Sequence, residues 1–287
     1  MMRTLILTDQ EGWHYNELKK SLINLGHSVF SACLTNISIK LDAIKSKLFI
    51  NNQPIPEVDN VIVRFVPGGT LEEIVYFLNI LKILESKGVN VINNASSIEK
   101  TVDKLHTSYL LNKNNIKTPL TYVLRGHNEA YEFIKNYHKE LIYKPLFGSQ
   151  GDGIKIIREL EDLTSFSNPS NIYYFQEYLE NPIMHDYRVL VIRYDNTVKY
   201  FYMTRYGQTF VNNFSKGAKC IKENFDNKVI DLALKTSEFL QMKFCGVDIM
   251  KFQENYYVIE VNSVPAWKGL QEVEDQVISD SIVGLFK

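Results

Sequence analysis

The sequence predicts a chain in two parts, a parallel-sheet α/β unit over residues 1–95 followed by an α+β unit built on antiparallel strands. Three observations carry this. Extended and helical patterns alternate up to residue 95, as in βαβ units. Beyond residue 119 the strands come in pairs joined by turns. The chain's 287 residues, at ~150 per domain, make about two domains.

In order, residues 4–8 form a short β-type run. Over 13–25, Leu18, Leu22 and Leu25 recur at helical spacing, and Gly26 suits the position just past a helix end. Residues 28–34 read as a strand, with weaker strands at 37–44 and 48–52 and with Pro54 and Pro56 in a turn. The strongest strand of this half is 58–66, ended by Pro67-Gly68-Gly69. Thr70 with Glu73 forms a capping box for a helix to about residue 87, closed by Gly88, and 89–92 is a further strand. Ser96 with Glu99 reads as a second capping box, opening a helix to about residue 113. Lys117-Thr118-Pro119 looks like a linker. Helices follow at 128–137 and 228–240, and strand pairs at 141–144 with 154–158, 188–194 with 197–204, and 246–252 with 256–261.

Composition narrows the function classes. Hydrophobic residues make up 45% and charged residues 23%, which fits a folded globular chain rather than a disordered one. With 32 Lys+Arg against 33 Asp+Glu, the net charge of -1 gives no bulk attraction to nucleic acid or an anionic membrane. No apolar run approaches the ~20 residues of a membrane span, and no signal-peptide core is visible. Cys33, Cys220 and Cys245 are odd in number and far apart, so a reducing cytoplasm is expected. The six histidines show no metal-ligand spacing.

The sharpest chemical feature is a hairpin, Gly246-Val247-Asp248-Ile249-Met250-Lys251-Phe252, then Gln253-Glu254-Asn255, then Tyr256-Tyr257-Val258-Ile259-Glu260-Val261-Asn262. A three-residue loop centred on Glu254 pairs Asp248 with Glu260, and Asn262 lies two residues on, along the same face. The opposite face is apolar (Val247, Ile249, Ile259, Val261). Facing carboxylates repel unless a cation lies between them, and three hard oxygen donors suit Mg²⁺. The bland alternative is a solvated edge hairpin.

Gly148-Ser149-Gln150-Gly151-Asp152-Gly153 allows close backbone approach to phosphates. It lies between two strands and lacks the Lys-Ser/Thr of a Walker loop, so a flexible hairpin tip is the competing reading. Lys144 ends the strand feeding it and could reach a phosphate or simply be solvated. Asp103-Lys104 reads alone as surface charge. The strand Tyr173 to Leu179 breaks at Gln176-Glu177-Tyr178 into a polar end that could meet an adenine edge or just close a core strand. Asp186, Arg188, Arg193, Arg205 and Asn213 could converge as an anion clamp or be ordinary surface ion pairs.

Together and in this order these segments resemble the ATP-grasp enzymes, and more narrowly the RimK-type α-L-glutamate ligases. The most specific stretches are Ile98 to Lys104, Lys144 to Gly153, Gln176-Glu177-Tyr178, Asp186 to Val189, and Glu260-Val261-Asn262-Ser263-Val264-Pro265-Ala266-Trp267. The resemblance implies an ATP-grasp fold, with a pre-ATP-grasp domain over 1–95, an ATP-grasp domain over 96–287 and a small lid subdomain at about 119–180. It implies that Lys104 and Lys144 contact nucleotide phosphates and that Gly148, Ser149, Gln150, Gly151, Asp152 and Gly153 close over them. Gln176, Glu177 and Tyr178 would line the nucleotide, the last two offering backbone groups to adenine, and Asp186 would be a further nucleotide contact. Asp248, Glu260 and Asn262 would hold two Mg²⁺ ions, with Mn²⁺ as a substitute. Arg188, Arg205 and Asn213 would serve catalysis at the γ-phosphate and the acyl phosphate. One departure from the family pattern is Val211, which stands where an Arg is expected, leaving Arg188, Arg205 or Lys216 to supply that charge.

The activity implied is ATP-dependent amide formation through an acyl phosphate, joining an amino acid, L-glutamate, to a small-molecule carboxylate. Val264 to Gln271 resembles the branch that adds glutamate to pterin or deazaflavin coenzymes, with Arg64 and Trp267 as candidates for substrate contact, or else a surface Arg and a packing Trp. A same-fold ligase acting on a peptide or protein tail, and a nucleotide-binding module without chemistry, remain the alternatives. A homo-oligomer is a further expectation, alongside the carboxylate acceptor and the amino acid as partners.

Overall fold

The computed structural model describes every residue except 149–150, 182, 208–216, 225 and 287. The chain opens with β1 (Arg3–Leu7), α1 (Trp13–Asn24), β2 (Ser28–Ala32), β3 (Ile37–Leu41), β4 (Ser46–Ile50), β5 (Gln53–Pro54), β6 (Asn60–Val63), α2 (Leu71–Ser86) and β7 (Asn90–Ile92). Next come α3 (Ala95–Val102), α4 (Lys104–Lys113), β8 (Thr121–Arg125), α5 (His127–Asn136), β9 (Leu141–Lys144), β10 (Lys155–Ile157), α6 (Leu160–Thr164) and β11 (Ile172–Glu177). It ends with β12 (His185–Arg193), β13 (Val198–Tyr206), β14 (Lys219–Ile221), α7 (Asn227–Phe239), β15 (Phe244–Phe252), β16 (Asn255–Asn262), α8 (Lys268–Gln271) and α9 (Ile278–Val283).

Among the described residues these strands form four sheets. The parallel one runs β2-β1-β6-β7, as the alternation predicts. The weak strands after β2 do not join it but build a separate antiparallel sheet, β3-β4-β5. The other two are β10-β9-β11-β8 and β14-β13-β12-β15-β16. All pairings within them are antiparallel.

Period-2 alternation splits the five-stranded sheet. One face sends Val189, Val191, Val247, Ile249, Val258 and Val261 into a core with Val229, Ile230 and Ala233 of α7. On the other, Leu190, Ile192, Phe201, Met203 and Phe244 pack with Trp267, α9 and Ile6, Leu18 and Leu22 of the N-terminal unit. The two units therefore share one core.

Two expectations change. The capping box at Thr70 and Glu73 forms, but the one at Ser96 and Glu99 does not. Asn94 caps α3 instead, by accepting from Ser97 N–H at 2.8 Å, and Glu99 pairs with Lys82. The helix also breaks at Asp103, which takes extended backbone angles and caps α4 through His106 N–H at 3.1 Å. Asp103 and Lys104 thus stand at a helix start rather than mid-helix.

Asn93, buried between β7 and α3, joins the units. Its Nδ2 donates to the carbonyls of Phe244 and of Ser263, the latter at 2.7 Å, and its Oδ1 accepts from Lys243 and Phe244 N–H at 3.1 Å each. Asn93→Ala would orphan several of these backbone groups, at about 1–3 kcal/mol each if unsatisfied. A loss of at least ~3 kcal/mol is expected in urea unfolding. A loss under ~1 kcal/mol would mean water replaces the amide.

Candidate active site

The charged end of the five-stranded sheet builds the site. Strand register places Asp186 opposite Arg205, Arg188 opposite Asp248, and Asp248 opposite Glu260. All lie on the face that elsewhere carries Leu190 and Phe244. A row of charges so crosses β13, β12, β15 and β16. Arg188 donates to both carboxylate oxygens of Asp248, Nη2 to Oδ2 at 2.7 Å. Arg205 Nε donates to Asp186 at 2.6 Å and its Nη2 lies 3.1 Å from Asp248. Asp186, Arg188, Arg205 and Asp248 are 3%, 8%, 3% and 1% exposed, so each depends on its partners for charge compensation. Burial opposes ionisation of Asp248, but Arg188 and then Arg205 outweigh it and hold its carboxyl below the usual range. At Asp186 burial wins over Arg205 and raises the carboxyl.

The hairpin differs from its expected form. Its turn has two residues, Gln253 and Glu254, with Gln253 in the left-handed region at φ 53°. From Phe252↔Asn255 to Ile249↔Val258 the register follows that turn, and then shifts, so that Asp248 still meets Glu260. Ile259 is the extra residue, a β-bulge. Val258, not Ile259, therefore fills the apolar face. The Ile259 carbonyl instead accepts from Lys144 Nζ at 3.4 Å.

Lys144, at the end of β9, brings the four-stranded sheet to this point. Its ammonium also donates to Gln176 Oε1 at 2.6 Å, and Gln176 Nε2 donates to Thr121 and to Tyr174. Gln176 is thus fully engaged in holding Lys144. Burial depresses the Lys144 ammonium to about 8 against attraction from Glu260, with Lys104 adding to the depression. Lys104 donates to the carbonyls of Gly148, at 3.0 Å, and Leu146, and burial lowers its ammonium too. The glycine loop starts from that anchor. Gly151 and Gly153 have φ of 73° and 71°, and a Cβ at Gly153 would lie 2.8 Å from Pro145 Cγ. Ser149, Gln150, Val211, Asn213 and Lys216 fall outside the described residues.

Glu177 and Tyr178 lie at the far end of β11. Their N–H groups donate to Leu120 and Glu140 carbonyls at 2.8 and 3.0 Å, and the Glu177 carboxylate pairs with Lys139. Only their carbonyls could serve a nucleotide through the backbone. No His, Cys, Asp and Glu trio gathers among the described residues. Asp248, Glu260 and Asn262 nevertheless make a hard-oxygen set, and the Glu260 carboxylate has no hydrogen-bond partner among the described residues. That set fits Mg²⁺, with Asp248 shared with its arginines.

Trp267 is a packing residue, 1% exposed. Arg64 is not a free surface Arg: its Nη1 donates to Pro265 O at 2.9 Å and its guanidinium stacks 4.7 Å from the Trp267 ring centre. Asn93 and His14, which accepts from Trp267 N–H at 3.1 Å, are partners that motif reading missed. Neither lies in a recognisable motif.

Known proteins resemble this chain along most of its length. A RimK-like ATP-grasp domain matches residues 101–283 and a RimK PreATP-grasp domain matches 2–98. Tetrahydromethanopterin:alpha-L-glutamate ligase of Methanocaldococcus jannaschii is 31% identical over 86% of this chain and 83% of its own. Coenzyme gamma-F420-2:alpha-L-glutamate ligase of the same organism is 31% identical over 72% and 75%. Alpha-aminoadipate--LysW ligase LysX of Sulfolobus acidocaldarius is 30% identical over 70% and 75%. Among solved structures, a RimK domain protein ATP-grasp from Sphaerobacter thermophilus superposes with TM-score 0.76 at 15% identity, covering 99% of this chain and 98% of that one. The ATP-grasp ligase PsnB, complexed with a minimal precursor, Mg and ADP, superposes with TM-score 0.69 at 17% identity over 99% and 97%. A parallel sheet feeding a charged antiparallel cleft, matched along nearly its whole length, makes this chain a member of the RimK-like ATP-grasp family of carbon–nitrogen ligases.

Proposed function

We propose that this ATP-grasp ligase adds L-glutamate to a small-molecule carboxylate of the pterin or deazaflavin coenzyme type. The observation that carries the reading is the convergence at the Ile259 bulge. There Lys144 from one sheet meets the strand that presents Glu260 from the other, beside Lys104 and the glycine loop. Two cations suited to phosphates thus face three oxygen donors suited to a metal.

Lys104 and Lys144 would hold the nucleotide phosphates, and the loop over Gly148 to Gly153 would cover them. The carbonyls of Glu177 and Tyr178 would meet adenine, while Gln176 would keep Lys144 aimed. Asp248, Glu260 and Asn262 would hold two Mg²⁺ ions, replaceable by Mn²⁺, which when bound neutralise charge on the phosphoryl oxygens. An oxygen of the acceptor carboxylate forms a bond to the γ-phosphorus as the bond to ADP breaks. The amine of glutamate then attacks the acyl carbon, phosphate leaves, and the amine proton passes to solvent or phosphate. Arg188 and Arg205 would face the phosphoryl group only by sharing their present carboxylate partners; Asn213 would complete this side. The enzyme's work is positioning and exclusion of water from the mixed anhydride. LysX, by its name, acts on LysW, which makes a protein-borne carboxylate the second reading.

ADP release should require Mg-ATP, L-glutamate and a pterin- or deazaflavin-linked carboxylate together, with the amide product seen by mass spectrometry. Turnover only with a peptide acceptor would replace the small-molecule reading. Glu260→Gln is expected to cut turnover roughly 10²-fold or more at unchanged Tm. Normal turnover would remove Glu260 from the site. For Lys144 the sign is set by its depressed ammonium: only the protonated form attracts phosphate, so nucleotide affinity should fall as pH rises through about 8. The fall should vanish in Lys144→Met, whose affinity is weaker throughout; a wild-type-like pH profile in that variant would clear Lys144 of the role.

A further inference from the structure

The parallel sheet has its own switch point. Its order β2-β1-β6-β7 reverses direction between β1 and β6, and open α/β sheets bind ligands at that point, outside the carboxyl ends of the strands. Both strands end there against Arg64, whose N–H donates to Leu7 O at 2.8 Å. This point adjoins the oxygen row. Arg64 holds the Pro265 carbonyl, and Pro265 lies over Gly246, where an added Cβ would sit 3.1 Å from the Pro265 Cβ. Gly246 in turn is the strand partner of Asn262.

Arg64 is also undercompensated. Arg188 and Arg205 each grip a carboxylate, whereas Arg64 has one neutral carbonyl and an aromatic face. No carboxylate lies within ion-pair distance of it among the described residues, and its Nε is buried without a hydrogen-bond partner. The Nε1 of the adjoining Trp267 is a second buried donor without one. His14 in the same cluster stays neutral, since burial, then Arg64 and Lys268, press its imidazole down to about 3. The opposing charge that partly offsets the burial of Arg64 is Asp9, an exposed residue of the loop after β1. A planar cation with spare donors, stacked on a tryptophan, is a carboxylate receptor lacking its carboxylate.

We infer that Arg64 binds a carboxylate of a substrate other than ATP, at the switch point between β1 and β6, and so helps select the ligase's carboxylate-bearing partner. The inference rests on the ligase reading, because that reading requires such a substrate. Its test does not need turnover.

Trp13 and Trp267 are the chain's two tryptophans and their rings lie 6.1 Å apart, so intrinsic fluorescence reports on this cluster. The full chain, saturated with Mg²⁺ and a non-hydrolysable ATP analogue, is titrated with glutarate and with its neutral isostere glutaramide. Glutarate should change the emission and glutaramide should not. Arg64→Gln should weaken glutarate binding roughly tenfold or more at unchanged nucleotide affinity. Asp9→Asn removes the competing charge from an exposed position and should tighten glutarate about two- to fivefold. If Arg64→Gln fails to fold, Asp9→Asn decides. Competition by L-glutamate would assign the site to the amino acid, and its lack of effect would assign it to the acceptor. Glutarate affinity unchanged in both variants, or no response from the wild type, would overturn the inference. Inactivity of the wild type toward every acceptor, with Arg64-dependent glutarate binding intact, would count against the proposed reaction instead.

Discussion

Four buried charges, Asp186, Arg205, Asp248 and Arg188, hold the cleft floor together. Taking each from water costs several kcal/mol, and only good geometry to its neighbours offsets that. Because the partners stand on β12, β13 and β15, a one-residue slip of any of these strands would carry a charge to the apolar face beside Val189 and Val247. The network is therefore weak evidence of stability and strong evidence of register. Glu260 inherits its position from that register through the Asp248 pair.

The bulge at Ile259 is where the register is tuned. A two-residue turn alone would leave Asp248 opposite Ile259. The inserted residue restores the carboxylate pair and turns a backbone carbonyl toward Lys144, so one local irregularity serves both sheets. Gln176 completes the device from the other side, with its amide oxygen on the ammonium and its nitrogen on Tyr174 and Thr121.

Much of this was legible in the sequence because it depends on local patterns. Alternation predicts the parallel sheet, paired runs predict the antiparallel hairpins, and strand register sets Asp248 against Glu260, all as the structure has them. The bulge was not legible: a three-residue loop and a two-residue turn plus bulge make the same carboxylate pair, and only packing of Val258 against α7 decides between them. The break at Asp103 was hidden for a similar reason, since a continuous helical pattern conceals a residue that serves as the next helix's cap. Asn93 lies beyond sequence reading altogether. Its four hydrogen bonds reach three residues about 150 to 170 positions away along the chain. For Arg188 and Arg205 the sequence leaves a choice between anion clamp and surface ion pairs, and the structure shows pairs that are buried.

Asn93 has a mechanical consequence. It bolts the end of the parallel sheet to the first residues of β15 and to the segment just after β16, where the two units already share a core. The N-terminal unit and the five-stranded sheet are thereby pinned along one seam, and parting them there would break these hydrogen bonds as well as the shared core. The four-stranded sheet meets the rest of the chain through side chains instead: Lys104 on the Gly148 carbonyl, Lys144 on the Ile259 carbonyl and Ser108 against the Tyr174 hydroxyl.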